Sequence, residues 1–151
     1  MYDAIWQARD QFMKNHPDYK VLFQTNEFPD NPEKMQIMGS VNLLRTALIN
    51  LMDNGCKFSP DHTVHVFLGF NKKNQLYVVV QDQGPGISDE ERQLIFEPFY
   101  RSSKTNTIKG SGIGLSLVKS IVKIHHAELT IETKEHQGTS FIITFNKSYE
   151  K

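Results

Sequence analysis

Apolar residues recur at helical spacing near the start of the chain. Ile5, Ala8 and Phe12 mark one side of residues 3 to 15, with Trp6 at its margin and charges between them. His16-Pro17-Asp18 ends that helix, because the residue before a proline is pushed out of the α region. Tyr19 to Thr25 predicts a strand, and Pro29 to Pro32 a loop. Ser40 is a suitable N-cap for a long helix from about Val41 to Lys57. Leu44, Leu48 and Leu51 form its buried stripe, with Val41, Leu43 and Ala47 beside them. Pro60-Asp61 breaks it, and period-two alternation follows from Thr63 to Phe70, with Val64, Val66, Leu68 and Phe70 on one face and His65 and Phe67 on the other. The turn residues 71 to 74 and Leu76 to Gln81 complete a hairpin.

A short helix is predicted from Ser88 to Ile95, with Ser88 and Glu91 as a capping box. Arg101 to Lys109 is polar and without period, a mobile loop. Gly110 to Gly114 leads into a further helix through His125, and Glu128 to Thr133 and Thr139 to Phe145 alternate as two strands joined by a turn at Gly138. Helices and strands in this mixed order predict a two-layer α/β sandwich, with a mixed sheet and helices on one face.

The chain has 151 residues, one domain's worth, and its 38% hydrophobic and 23% charged residues are ordinary for a soluble globular protein. Seventeen basic residues cancel seventeen acidic ones, which gives no electrostatic reason to expect nucleic acid or an anionic membrane as the partner. A single cysteine, Cys56, excludes an internal disulfide and fits a reducing compartment. There is no apolar run near the roughly 18 residues that span a bilayer, and no secretory leader at Met1, so a cytosolic location is expected, with a membrane-bound parent left open.

Three polar segments carry candidate chemistry. Asn50 and Asn54 lie four apart on one helix and share a face; an amide oxygen suits Mg²⁺, and Lys57 is within reach of a phosphate. Asp82-Gln83-Gly84-Pro85-Gly86 follows a strand, where a carboxylate can accept from an adenine amino group and the glycines permit close approach. Gly110-Ser111-Gly112-Ile113-Gly114-Leu115 precedes a helix whose free N–H groups favour an anion, without matching a P-loop or a dinucleotide fingerprint. Taken singly, each is equally a solvated helix face, an ordinary turn or a linker.

Taken in order, these segments resemble the ATP-binding domains of the GHKL superfamily, and within it the sensor histidine kinases. Asn50 to Ser59 is similar to their asparagine box, Asp82 to Ile87 to the first glycine box, Ile95 to Arg101 to the phenylalanine box, and Gly110 to Leu115 to the second glycine box. The resemblance spans about Ser40 to Phe145 and implies the Bergerat fold, with Mg²⁺ and ATP as cofactors. It implies Asn54 as metal ligand, Asn50 beside the phosphates, Lys57 on a phosphate and Phe58 against the adenine. Asp82 takes the adenine amino group, with Gly84, Gly86 and Ile87 shaping the pocket. Arg101 is the candidate γ-phosphate contact, residues 101 to 111 are a lid, and Gly110, Gly112, Ile113, Gly114 and Leu115 line the phosphates.

Hydrolysing relatives carry a glutamate where this chain has Asn50; an amide is no general base, so fast hydrolysis is not expected. Three positions depart from the kinase pattern: Gly55, where alanine is usual, and His126-Ala127, where glycines are. The phosphoacceptor motif is absent from all six histidines (His16, His62, His65, His125, His126 and His136), each taken as an ordinary surface or turn residue. The implied partners are therefore a separate dimerisation and phosphoacceptor domain and a downstream response regulator, with this chain a monomer. Residues 1–18 are then the tail of a dimerisation helix or an extension, and 19–151 the catalytic domain. Two other readings share these boxes: an ATP-gated regulatory module, and a serine kinase of the anti-sigma type.

Overall fold

The computed structural model describes residues 1–25, 37–98, 100, 114–133 and 136–146. Helix α1 (Tyr2–Asn15) buries Ala4, Ile5, Ala8 and Phe12 and stops at His16, one residue before Pro17. Trp6 sits at the edge of that stripe, edge-on to Phe23 with ring centroids 5.2 Å apart. Strand β1 (Lys20–Thr25) pairs in parallel with β2 (Thr63–Phe70), Val21 opposite Val64. A parallel pair needs a crossover connection, and α2 (Val41–Phe58) lies within it. β2 turns back through a hairpin into β3 (Leu76–Asp82), and β5 (Thr139–Thr144) and β4 (Glu128–Thr133) complete a mixed sheet of order β1-β2-β3-β5-β4. Helix α3 (Gly114–Ile124) precedes β4.

The inward row across the sheet is Phe23, Val66, Val80, Phe141 and Ile131. Its outward neighbours Phe67, Val79 and Ile142 stay half-exposed, so the sheet is covered on one face only, as in an antiparallel two-layer sandwich. α2 lies over β2 and β3, with α1 and α3 packed against its flanks. Both sheet edges are blocked by arginines. Arg9 Nε donates to Val21 O at 2.9 Å and Arg92 Nη2 to Ile131 O at 2.7 Å, which occupies carbonyls that another strand would otherwise pair with.

Two local expectations change. Val41 and Leu43 are 53% and 36% exposed rather than buried: they lie in the first turn of α2, where the helix end is held by a hydrogen bond to His125. Ser88 to Ile95 forms no regular helix, only turns and a single 3₁₀ turn, Leu94–Phe96. One buried side chain, Ile95, is too little packing to hold so short a helix. The capping role of Ser40 holds, its Oγ accepting from Leu43 N at 3.2 Å.

Candidate functional site

The second half of α2 collects the polar residues. Leu44, Leu48, Leu51 and Met52 turn into the core, so Asn50, Asn54 and Lys57 share the flank that meets α3. A β-carbon on Gly114 would stand 3.8 Å from Asn50 Oδ1. The start of α3 therefore passes directly against the asparagine, and Leu115 follows it half-buried. The helices run antiparallel, since at their other ends Ser40 N donates to Nε2 of His125 at 3.1 Å.

Asp82 closes β3 and is only 5% exposed. Its Oδ1 accepts from Gly84 N at 2.8 Å. A β-carbon on Gly84 would lie 2.9 Å from the carbonyl oxygen of Phe58, and one on Gly55 would lie 3.4 Å from Asp82 Cβ. The carboxylate, the first glycine segment and the last turn of α2 thus converge at a single point, with no room there for larger residues. Burial pushes the Asp82 carboxyl up to about 6, while the backbone N–H groups of Gly84 and Thr139 favour the anion and oppose that rise.

The loop after Asp82 is pinned to the β4–β5 hairpin. Ile87 N donates to Thr133 Oγ1 at 2.9 Å, His136 N donates to Pro85 O, and Gly86 adopts φ 76°. Gly138, at φ 83°, packs against the carbonyl of Asp82 where a side chain would overlap it. Thr133 Oγ1 lies 2.9 Å from Thr139 Oγ1, and Thr139 pairs across from Asp82. These threonines were not among the sequence candidates. The available signal was a polar residue in phase with the inward positions Phe141, Ile143 and Phe145. A hollow of about 410 Å³, lined by the outward row Gln81, Ser140 and Glu132 with Arg92 and bordered by Thr133, Gly138 and Thr139, contains none of the sequence-predicted site residues.

Lys57 is held by Asp53, with Nζ 2.8 Å from Oδ2; the other oxygen, Oδ1, is shielded and has no hydrogen-bond partner among the described residues. Asp53 too was missed by the sequence reading. Arg101, Gly110, Gly112, Ile113 and the rest of the predicted lid lie outside the described residues. Cys56 is buried, and burial followed by the charge of Asp53 pushes its thiol up to about 12, so it is no nucleophile. His125 departs from expectation: it is buried, with Nδ1 2.8 Å from Ile121 O and Nε2 on Ser40 N.

Comparison with known proteins agrees with this geometry. Residues 39–148 match the model of the histidine kinase-, DNA gyrase B- and HSP90-like ATPase family. The chain is 40% identical over 122 residues to the signal transduction histidine-protein kinase/phosphatase MprB of Mycobacterium sp. (strain KMS), covering 78% of this chain and 24% of that one. It is 44% identical over 98 residues to MprB of Mycobacterium ulcerans (strain Agy99), covering 64% and 19%. The chain thus spans about a quarter or less of the length of these relatives. Among solved structures, the mycobacterial sensor histidine kinase MprB superposes with TM-score 0.78 at 29% identity, covering 96% of this chain and 93% of that one. The catalytic domain of histidine kinase ThkA shares the fold at TM-score 0.75 and 22% identity, covering 97% and 92%. The chain belongs to the histidine kinase-, DNA gyrase B- and HSP90-like ATPase family, as a catalytic domain of the sensor histidine kinase type.

Proposed function

We propose that this domain binds Mg·ATP and passes the γ-phosphoryl group to a histidine on a separate dimerisation domain. The observation that carries the proposal is the convergence of three distant segments: α2 with Asn50, Asn54 and Lys57, the buried Asp82 with Gly84, and the start of α3 at Gly114. Asp82 accepts the adenine amino hydrogen bond while Phe58 and Ile87 flank the ring. Gly86 shapes the turn, and Gly110, Gly112, Ile113, Gly114 and Leu115 line the phosphates. Asn54 holds the cation, Asn50 and Lys57 face the phosphates, and Arg101 meets the γ-phosphate.

The donor set fits Mg²⁺. Among the described residues no group of three His, Cys, Asp or Glu side chains forms a protein cage, and Mg²⁺ usually takes one or two protein oxygens, phosphate oxygens and its own waters. When bound, the ion neutralises charge on the phosphates. The protein's part is positioning, and Asn50 in place of a general base leaves water unactivated. In the transfer, the γ-phosphorus to bridging-oxygen bond breaks as a bond to the acceptor imidazole nitrogen forms, and ADP leaves.

The acceptor domain and a response regulator are the partners of this reading. Residues 1–18 are an extension absorbed by the domain, as the burial of Ile5, Ala8 and Phe12 supports, and the domain acts as a monomer. No described helix is long and apolar enough to cross a membrane. We place the domain on the cytoplasmic side, where ATP is found.

Calorimetric titration with a non-hydrolysable ATP analogue, with and without Mg²⁺, tests the pocket. Micromolar binding is expected, weakened by about 2 kcal/mol or more in Asp82→Ala. A folded protein that takes up no analogue overturns the reading. Binding without transfer to a supplied phosphoacceptor domain would instead favour an ATP-gated regulatory module.

A further inference from the structure

Asp53 is the partner that Lys57 has in the structure. Nζ lies 2.8 Å from Oδ2, and the two side chains are 26% and 28% exposed. The second oxygen, Oδ1, is shielded from water and finds no donor among the described residues. Buried polar atoms are paired in the great majority of cases, and an unpaired one costs on the order of 1–3 kcal/mol. An ion pair four residues apart on a helix does not require that cost, since it forms equally well with both carboxylate oxygens in water.

The neighbours of Asp53 on α2 point to the kind of donor it lacks. Asn50, Asp53, Asn54 and Lys57 are separated by steps of three and four residues, so they occupy the corners of one cell on the surface of α2. Gly114 borders that cell at Asn50. It is the patch on which the reading above sets the phosphates and the cation. Lys57 is already taken by Oδ2. A water bound to a divalent cation is a strong hydrogen-bond donor, and Mg²⁺ retains several such waters.

We propose that Asp53 is a positioning residue of the metal–phosphate site, holding Lys57 toward the phosphates through Oδ2, with Oδ1 kept for a donor that arrives with the nucleotide and its cation. This assignment rests on the nucleotide reading. It has a consequence of definite sign. A carboxylate in this cell repels a triphosphate that arrives without its cation, and supports one that arrives with it. Asp53 therefore makes nucleotide binding depend on the cation.

The test is calorimetric titration of the wild-type protein, Asp53→Asn and Asp53→Glu with a non-hydrolysable ATP analogue, in EDTA and in Mg²⁺. In Asp53→Asn the affinity in EDTA should stay level or rise several-fold, while the gain produced by Mg²⁺ falls tenfold or more. Asp53→Glu, which restores the charge on a longer stem, should recover part of that gain. The ratio of the two affinities is insensitive to a misfolded fraction, which lowers stoichiometry instead. An Mg²⁺ gain in Asp53→Asn equal to that of the wild type overturns the assignment and leaves the nucleotide reading intact. A folded wild-type protein that takes up no analogue in either buffer overturns the nucleotide reading and this assignment together.

Discussion

Ser40 and His125, 85 residues apart, are joined by a hydrogen bond from the backbone N–H of Ser40 to Nε2 of the buried ring, at 3.1 Å. Ser40 also caps α2 through its side chain, and His125 closes α3 with Nδ1 on Ile121 O. The donor at Ser40 requires Nε2 to be the acceptor, so the proton sits on Nδ1 and the ring is neutral. One imidazole thus ties the start of α2 to the end of α3, while the start of α3 at Gly114 lies against Asn50 in the middle of α2.

Loss of this link should be costly. His125→Ala leaves the Ser40 N–H without its partner and opens a void, an expected destabilisation of about 2–4 kcal/mol. Gly39 lies so close that a methyl group there would overlap the ring at Cδ2 and Nε2, so Gly39→Ala should cost about 1–3 kcal/mol as overpacking. With the ring removed, the same substitution should become nearly neutral. Urea unfolding followed by the single tryptophan, Trp6, across the double-mutant cycle measures this coupling. Additive effects would mean that the ring and Gly39 do not oppose each other.

Periodic segments were legible from the chain because helix and strand faces are local properties. The ends of α1, the cap at Ser40 and the alternation of β2 needed no distant partner. His125, Thr133 and Asp53 were not recognised. The bond from Ile87 to Thr133 spans 46 residues, and nothing near His125 in sequence reveals that Gly39 and Ser40 come to rest on its ring. Val41 and Leu43 failed for the same reason: a helical wheel gives direction, not whether another element lies in that direction. The candidate site residues are legible as an ordered set of motifs, which does not show which oxygen of Asp53 is left unpaired.

Asp82 should place stability and binding in opposition along the pH axis. Its carboxyl is raised from an ordinary 3.8 to about 6 by burial. A raised carboxyl binds its proton more tightly in the folded state, so its contribution is fully present below about pH 4 and is lost as pH rises through 6. The loss is up to about 3 kcal/mol. Acceptance of the adenine amino group by the anion needs the opposite state, so affinity should rise over the same interval. Asp82→Asn keeps an oxygen for Gly84 N and has no charge to desolvate. It should remove the fall in urea midpoint between pH 4 and 6, gain stability at pH 7 and bind adenine nucleotides more weakly. A mutant midpoint that still follows the wild-type pH curve would assign that dependence to another group.

Gly55 stands inside α2 where alanine would favour the helix by about 1 kcal/mol. The structure supplies the opposing term. A β-carbon at Gly55 would lie 2.8 Å from Cγ2 of Val64, a fully buried and branched side chain with little freedom to turn aside, and 3.4 Å from Asp82 Cβ. Overpacking of this kind costs about 1–3 kcal/mol, so Gly55→Ala should be neutral to destabilising by about 2 kcal/mol despite the better propensity. The displacement falls on Asp82 as well, so nucleotide affinity should weaken even where stability changes little. Val64→Ala alone costs a buried side chain, but it opens the space that the new methyl needs. The double substitution should therefore be more stable than the sum of the single effects by about 1 kcal/mol or more, read from urea midpoints at constant slope. A stabilised Gly55→Ala with unchanged affinity would show that α2 can lift from β2 at no cost, and the close approach of that helix to Asp82 would then not be what holds the carboxylate in place.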